Sequence, residues 1–208
     1  MATVPMRPTM YMLAGPNGAG KSTLYETAIQ PRIKAPFINA DLIQKNELHD
    51  PSMGAAYEAA KIAGQRRQSH LKNKESFVSE STFSHPSKLL LIDEAKAAGF
   101  RIVIFHINVR SADLSVARVA TRVERGGHDV PEDKIRARYD RNQALIRQAA
   151  LRADKAFVYD NSILGKPPLL VMSLSHGRID RLADEVPAWV RTIYAREISE
   201  SRVRIRGR

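Results

Sequence analysis

The stretch Gly15-Pro16-Asn17-Gly18-Ala19-Gly20-Lys21-Ser22-Thr23 directly follows the apolar run MYML at residues 10–13 and Ala14. Three glycines in six residues suit neither the interior of a helix nor that of a strand. The spacing is G-x-x-x-x-G-K-[ST], with a strand pattern before it and a helix pattern after it, the context in which such a loop cradles phosphate. Glycines let consecutive backbone N–H groups turn inward around phosphate oxygens with no Cβ in the way. The helix that starts near Lys21 adds its positive end. Lys21 is expected to reach the β- and γ-phosphates, and the Ser22 hydroxyl to ligate Mg²⁺. Residues 15–23 are therefore expected to bind a nucleoside triphosphate, ATP or GTP.

Around this loop, apolar β-rich runs alternate with helical segments. The runs are MYMLAG from Met10, PFINAD from Pro36, SFVSES from Ser76, FRIVIFHINV from Phe100, AFVYDN from Ala156 and LLVMSL from Leu169. Several are continuously apolar, as strands covered on both faces must be. Residues 55–72 and 86–98 are expected as helices, the second stopped by Gly99. Strands alternating with helices make βαβ units with right-handed crossovers. The expected fold is α/β: a P-loop NTPase three-layer sandwich with a mostly parallel central sheet and a helical, arginine-bearing lid. A single domain is expected over residues 1–199, its lid at about 112–153, followed by a basic tail at 200–208.

A chain of 208 residues suits one sizeable domain with a full core. With 43% hydrophobic and 26% charged residues it has an ordinary soluble composition. No apolar run nears the ~20 residues needed to cross a bilayer, and no secretory signal is visible, so no membrane association is expected. The absence of cysteine excludes disulfides and thiolate metal sites, and fits a reducing cytoplasm. The 33 basic against 22 acidic residues give a net charge of +11, which attracts nucleotides, nucleic acid or an acidic protein. The arginine-rich end SRVRIRGR reads as a solvated terminus in preference to a nucleic-acid contact.

A GTPase should carry a base-reading N-K-x-D segment, and none is present. A motor ATPase should carry an apolar strand ending in aspartate, whereas FRIVIFHINV ends in Asn108 and Val109. A kinase can draw its base or second magnesium contact from another strand end. Asp41 after FINA and Glu80 within FVSES both lie at such ends, on the ligand-binding edge of an open α/β sheet. Asp41 is expected to accept the proton of a substrate hydroxyl, and to contact the metal as an alternative role. The competing structural reading makes Asp41 the N-cap of a helix beginning at Leu42, and Glu80 a surface or salt-bridged carboxylate.

Downstream, Arg118, Arg122 and Arg125 share one helical face, with Val116, Val119 and Val123 on another. Gly126 and Gly127 stop that helix, and Pro131 with Glu132 and Asp133 starts the next. There Lys134, Arg138 and Arg141 repeat the basic spacing, beside a stripe of Ile135, Tyr139 and Asn142. Two such helices are expected to form a lid whose arginines neutralise transition-state charge. The competing reading is a solvated basic face paired with Asp113, Glu124 and Asp140. His128 is expected at a turn or as a substrate contact.

These segments, GPNGAGKST, FINADLI, SFVSESTFSH, RVATRVERGGHDVPEDKIRARYDR and FVYDNS, resemble in order and spacing the zeta-toxin-type kinases, over roughly residues 10–162. The resemblance implies a P-loop kinase of the toxin–antitoxin class that phosphorylates a hydroxyl of UDP-N-acetylglucosamine from ATP or GTP. By motif, Asp41 matches the general base, and Glu80 the substrate-side carboxylate with Thr82 beside it. The lid arginines match as a group, Arg118 and Arg122 with Arg138 or Arg141. Asn161, within DNS, falls near the nucleotide base or a lid hinge. An acidic antitoxin would suit the basic surface. The chain is shorter than the best-known members and lacks their large insertions, which leaves three acceptors in competition with the nucleotide sugar: an antibiotic, another sugar or a nucleic-acid 5′ end. A non-catalytic, nucleotide-dependent RNA-binding protein is the rival from another class.

Overall fold

The structure is a computed structural model that describes residues 7–126 and 130–206, with side chains described as far as Ser201. Its centre is a seven-stranded sheet in the order β2-β3-β1-β4-β5-β6-β7. The strands are β1 (Thr9–Ala14), β2 (Phe37–Ile38), β3 (Phe77–Ser81), β4 (Arg101–Asn108), β5 (Lys155–Asp160), β6 (Leu169–Ser175) and β7 (Arg178–Leu182). The first five in spatial order run parallel, and β6 and β7 close one edge antiparallel. This matches the expected mostly parallel α/β sandwich.

The period of two along a strand shows in the core. Met10, Met12 and Ala14 of β1, with Ile102 and Ile104 of β4, join one apolar cluster, while Leu13, Val103, Phe105 and Ile107 join another on the opposite face. Continuous apolarity in these runs therefore reports burial on both sides. The first face is covered by α3 (Met53–Asn73), α4 (Ser87–Ala97), α6 (Glu132–Arg152), α7 (Ala188–Ile193) and α8 (Ala195–Arg206). The second is covered by α1 (Lys21–Leu24), which widens into a π turn at Tyr25–Ile29 and brings in Leu24 and Ile29. The short α2 (Ala40–Ile43) follows β2 and also widens into a π turn, at Gln44–Leu48.

The two expected helices are present, α3 slightly longer than expected, and Gly99 follows α4 with φ +87°. The expected lid, 112–153, falls on two helices. Helix α5 (Ala112–Glu124) and the start of α6 share a small cluster of Val119, Val130 and Ile135, but Ile146, Ala149 and Ala150 of α6 pack into the main core. The long α6 thus ties this region to the sheet, and the Tyr139 hydroxyl donates to the Val109 carbonyl at 2.7 Å. Toward the C-terminus, β7, α7 and α8 lie beyond the elements read from the sequence, and α8 crosses position 200.

His106 of β4 is fully buried, hydrogen-bonded through Nδ1 to the Tyr194 hydroxyl at 2.8 Å and edge-on to Trp189. Burial pushes its pKa down to about 3. The unfolded chain takes up the proton that the folded one refuses, so stability is present above the ordinary value near 6.5 and is lost as pH falls toward 3. At roughly 1.4 kcal/mol per pH unit, this one group should cost about 2 kcal/mol between pH 6.5 and 5. Urea denaturation at the two pH values should show that step, and a His106→Gln variant should lack it.

Candidate active site

The glycine-rich loop joins β1 to α1 at the carboxyl edge of the parallel strands, as the motif requires. Gly15 and Pro16 are buried, and the Lys21 ammonium turns back to donate to both their carbonyls, at 3.1 and 3.0 Å. Gly18 and Gly20 take φ of +72° and +89°, the left-handed region that a side chain disfavours. Asn161, just after β5, donates its amide to the Ala19 carbonyl at 2.8 Å and pins the loop from the other side. Ser22 and Thr23 are exposed at the first turn of α1.

The opposite wall is built around Asn39, which caps α2. Its Oδ1 accepts from the backbone N–H groups of Asp41 and Leu42, at 2.8 and 3.2 Å, while its amide donates to Glu80 Oε2 at 2.9 Å. The N-cap reading of Asp41 is thereby corrected, because Asn39 fills that role and Asp41 sits exposed in the first turn. Glu80 lies beside Leu13 in the β3–β1 register, with Oε1 3.6 Å from Lys21 Nζ. Burial raises its pKa, opposed by the Lys21 charge and then reinforced by Asp41. The surface reading of Glu80 does not hold, and the salt-bridged one does. Because one amide both caps α2 and holds Glu80, Asn39→Ala should lower stability by about 1–2 kcal/mol, read as a lower midpoint in urea.

Asp41, Glu80 and Thr82 line one cavity of about 340 Å³ together with Asn17 and Arg138. Arg138 reaches from α6 to Asn17 Oδ1 at 3.3 Å. Arg118 of α5 lies beside Gly18, where an added Cβ would stand 3.4 Å from its own. Its Nε is buried without a hydrogen-bond partner, and burial lowers the guanidinium pKa against the opposing charge of Asp160. The structure thus brings two of the expected arginines to the loop. Arg122 and Arg141 are exposed and do not line the cavity. The solvated-face reading does apply to Arg136, which pairs with Asp113 at 2.5 Å and Glu132 at 2.8 Å. His128 lies outside the described residues. Arg67, Lys88, Gln44 and Lys134 also line the cavity. The sequence reading placed Lys134 in a basic stripe and passed over the other three, which carry no motif.

Among the described residues no group of three His, Cys, Asp or Glu is placed to hold a metal ion. The exposed Ser22 hydroxyl next to Lys21 fits Mg²⁺ all the same, since that ion keeps several waters and takes only one or two protein ligands beside substrate phosphates. No helix among the described residues is long and apolar enough to cross a membrane.

Comparison with known proteins bears on the family and the fold. A protein of Haemophilus influenzae of uncharacterized function is 31% identical over 128 residues, covering 60% of this chain and 88% of that one. Similar folds occur in the AvrRxo1-ORF1:-ORF2 complex solved with ATP (TM-score 0.63, 15% identity, 85% of this chain) and in the PezAT chromosomal toxin–antitoxin system of Streptococcus pneumoniae (TM-score 0.59, 13% identity, 96% of this chain and 84% of that one). This chain spans 61% of the AvrRxo1 chain it matches. The family model described as zeta toxin matches residues 2–163, most of the sequence. With its P-loop kinase fold, the chain belongs to the zeta toxin family.

Proposed function

We propose that the protein is a kinase that transfers the γ-phosphate of ATP, or of GTP, to a hydroxyl of a nucleotide sugar, UDP-N-acetylglucosamine being the leading acceptor. The observation that carries this reading is the shared cavity. A carboxylate suited to be a base, Asp41, opens onto the same space as Glu80 and as Asn17 and Arg138 at the phosphate loop. Asp41 takes the proton of the acceptor hydroxyl as its oxygen attacks phosphorus. Glu80 and Thr82 orient the acceptor, and the loop amides of residues 15–23 with Lys21 hold the phosphates. Arg118 and Arg138 offset the charge that spreads over the transferred group. Mg²⁺, held through Ser22, supplies further charge neutralisation when bound. Asn161 fixes the loop against β5, and α5 with the first half of α6 forms the cover that excludes water.

An ATP-bound structure among the fold relatives supports nucleotide use, and the toxin–antitoxin system among them supports an antitoxin partner. The net charge of +11 favours an acidic one. The test is turnover: purified protein with Mg-ATP and, separately, UDP-N-acetylglucosamine, other UDP-sugars, free sugars and short oligonucleotides, followed by mass spectrometry. Phosphate gained on a UDP-sugar supports the reading. Phosphate gained only on an oligonucleotide end would replace the acceptor, and no product with nucleotide binding intact would favour a non-catalytic role.

A further inference from the structure

Resting on the kinase reading, we propose that Asp160 is a positioning residue for Arg118, steadied by the indole of Trp189, so that α7 helps to hold the transferred phosphate. Asp160 ends β5 at the sheet edge that carries the phosphate loop, and Asn161 beside it bonds to Ala19 of that loop. Arg118 borders the same loop from α5, its Cβ 3.4 Å from where one on Gly18 would stand. The two side chains thus come to loop residues 18–20 from different elements. Trp189 lies beyond the matched residues 2–163, in a part of the chain to which the sequence reading gave no role.

The bonding of Asp160 is lopsided. Its Oδ1 accepts from the Trp189 indole N–H at 2.7 Å and from the Ser162 hydroxyl at 2.6 Å. Its Oδ2 has only the Ser162 backbone N–H, at 3.4 Å, among the described residues. One oxygen is fixed and the other is nearly free. On Arg118 the Nε is buried without a hydrogen-bond partner. Burial works against the Arg118 charge, and Asp160 is the group that opposes that effect. The indole cannot wander. Trp189 is buried edge-on to His106, ring centres 5.2 Å apart, and His106 is bonded to Tyr194. Arg147 of α6 grips the buried Glu197 at 3.1 and 2.5 Å, which fastens the following helix α8.

Satisfying a buried indole N–H needs only a backbone carbonyl. A carboxylate costs more to desolvate, and is favoured in such a place where a cation stands near. Arg118 supplies that cation. A guanidinium held by a carboxylate on one side keeps its other donors in a fixed fork, the arrangement that meets phosphoryl oxygens. The freedom of the long side chain is then lost on folding and not at the moment of transfer.

The test is calorimetric titration with a Mg²⁺-bound non-hydrolysable ATP analogue and, separately, with Mg-ADP. The ratio of the two affinities isolates the γ-phosphate. Asp160→Asn keeps an oxygen for the indole and removes the charge. It should cut the ratio by about tenfold, the worth of one charge-assisted hydrogen bond, with Mg-ADP affinity unchanged. In protein already carrying Arg118→Ala the same substitution should leave the ratio where it is, because the partner is gone. Trp189→Phe keeps the ring and removes the N–H, so it should lower the ratio by about threefold, and it decides the matter where Asp160→Asn does not fold. Trp189 is the sole tryptophan, so its emission reports on Asp160. The analogue should shift that emission and Mg-ADP should not. An equal loss with and without Arg118, no loss in either variant, or the same emission with both nucleotides bound would overturn the positioning role and leave the kinase reading standing. Failure of the analogue to bind wild type would remove the kinase reading and this one with it.

Discussion

Asp41→Asn is expected to lower kcat by about 10²–10⁴-fold, the usual contribution of a positioned base. The substitution keeps the side chain's shape and removes its basicity. Asp41 is exposed and makes no ion pair or side-chain hydrogen bond among the described residues, so folding should hardly notice the change. The melting temperature should stay within about 2 °C, since one carboxylate fewer at a helix start costs only a few tenths of a kcal/mol. KM for ATP should move little, because the phosphate loop contacts lie elsewhere. Removing the Asp41 charge should also let Glu80 ionise at lower pH, as Asp41 is one of the groups that raise it. Steady-state kinetics beside a thermal melt reads all of these. An unchanged kcat would mean that proton transfer is not assisted here and that positioning and charge alone carry the reaction.

Gly15→Ala is expected to lose both stability and nucleotide affinity. A Cβ at this position would stand 2.1 Å from the backbone oxygen of Ile107 and 3.2 Å from its carbon. Ile107 belongs to β4, the strand between β1 and β5, and pairs with Tyr159, so its carbonyl cannot retreat without breaking the sheet register. The loop must lift instead. Overpacking of this kind costs about 1–3 kcal/mol, or roughly 2–12 °C in melting temperature for a domain of this size. Lifting the loop also moves the amides that face the phosphates, so affinity for Mg-ATP should fall even under conditions where the variant is folded. Gly20→Ala makes an informative contrast. Its Cβ would meet the Asn161 amide nitrogen at 2.2 Å, the end of a side chain that can swing away, although φ of +89° adds strain of about 1–2 kcal/mol. A Gly15→Ala protein that melts and binds nucleotide as wild type does would show that the loop has slack against β4.

The phosphate loop was legible because its chemistry is local. Eight consecutive residues supply the turn, the lysine and the helix start, and the apolar runs on either side announce a strand buried on both faces. Asp41 and Glu80 were legible as residues at strand ends, but not their surroundings. Asn39 sets those from between them, capping α2 with one atom and holding Glu80 with another. The arginine stripes were visible as a helical period. Their assignment was not: Arg118 and Arg138 reach the loop, while Arg136, two residues from Arg138, pairs with Asp113 twenty-three positions away. An amphipathic helix looks the same in sequence whether its apolar face meets another lid helix or the main core, and the second half of α6 meets the core.

Sequence by itself determined the α/β class, the phosphate loop and the strand ends on which carboxylates sit, since backbone geometry and periodicity are written in neighbouring residues. Tertiary structure alone decided the antiparallel edge of β6 and β7, where RIDRL is too charged to read as a strand but suits an exposed sheet edge. It also separated Arg66 from Arg67, adjacent residues of one type, by sending the first to Glu47 and the second into the cavity. Whether a charge is neutralised depends on which distant carboxylate the fold brings within reach, and local sequence carries no record of that distance.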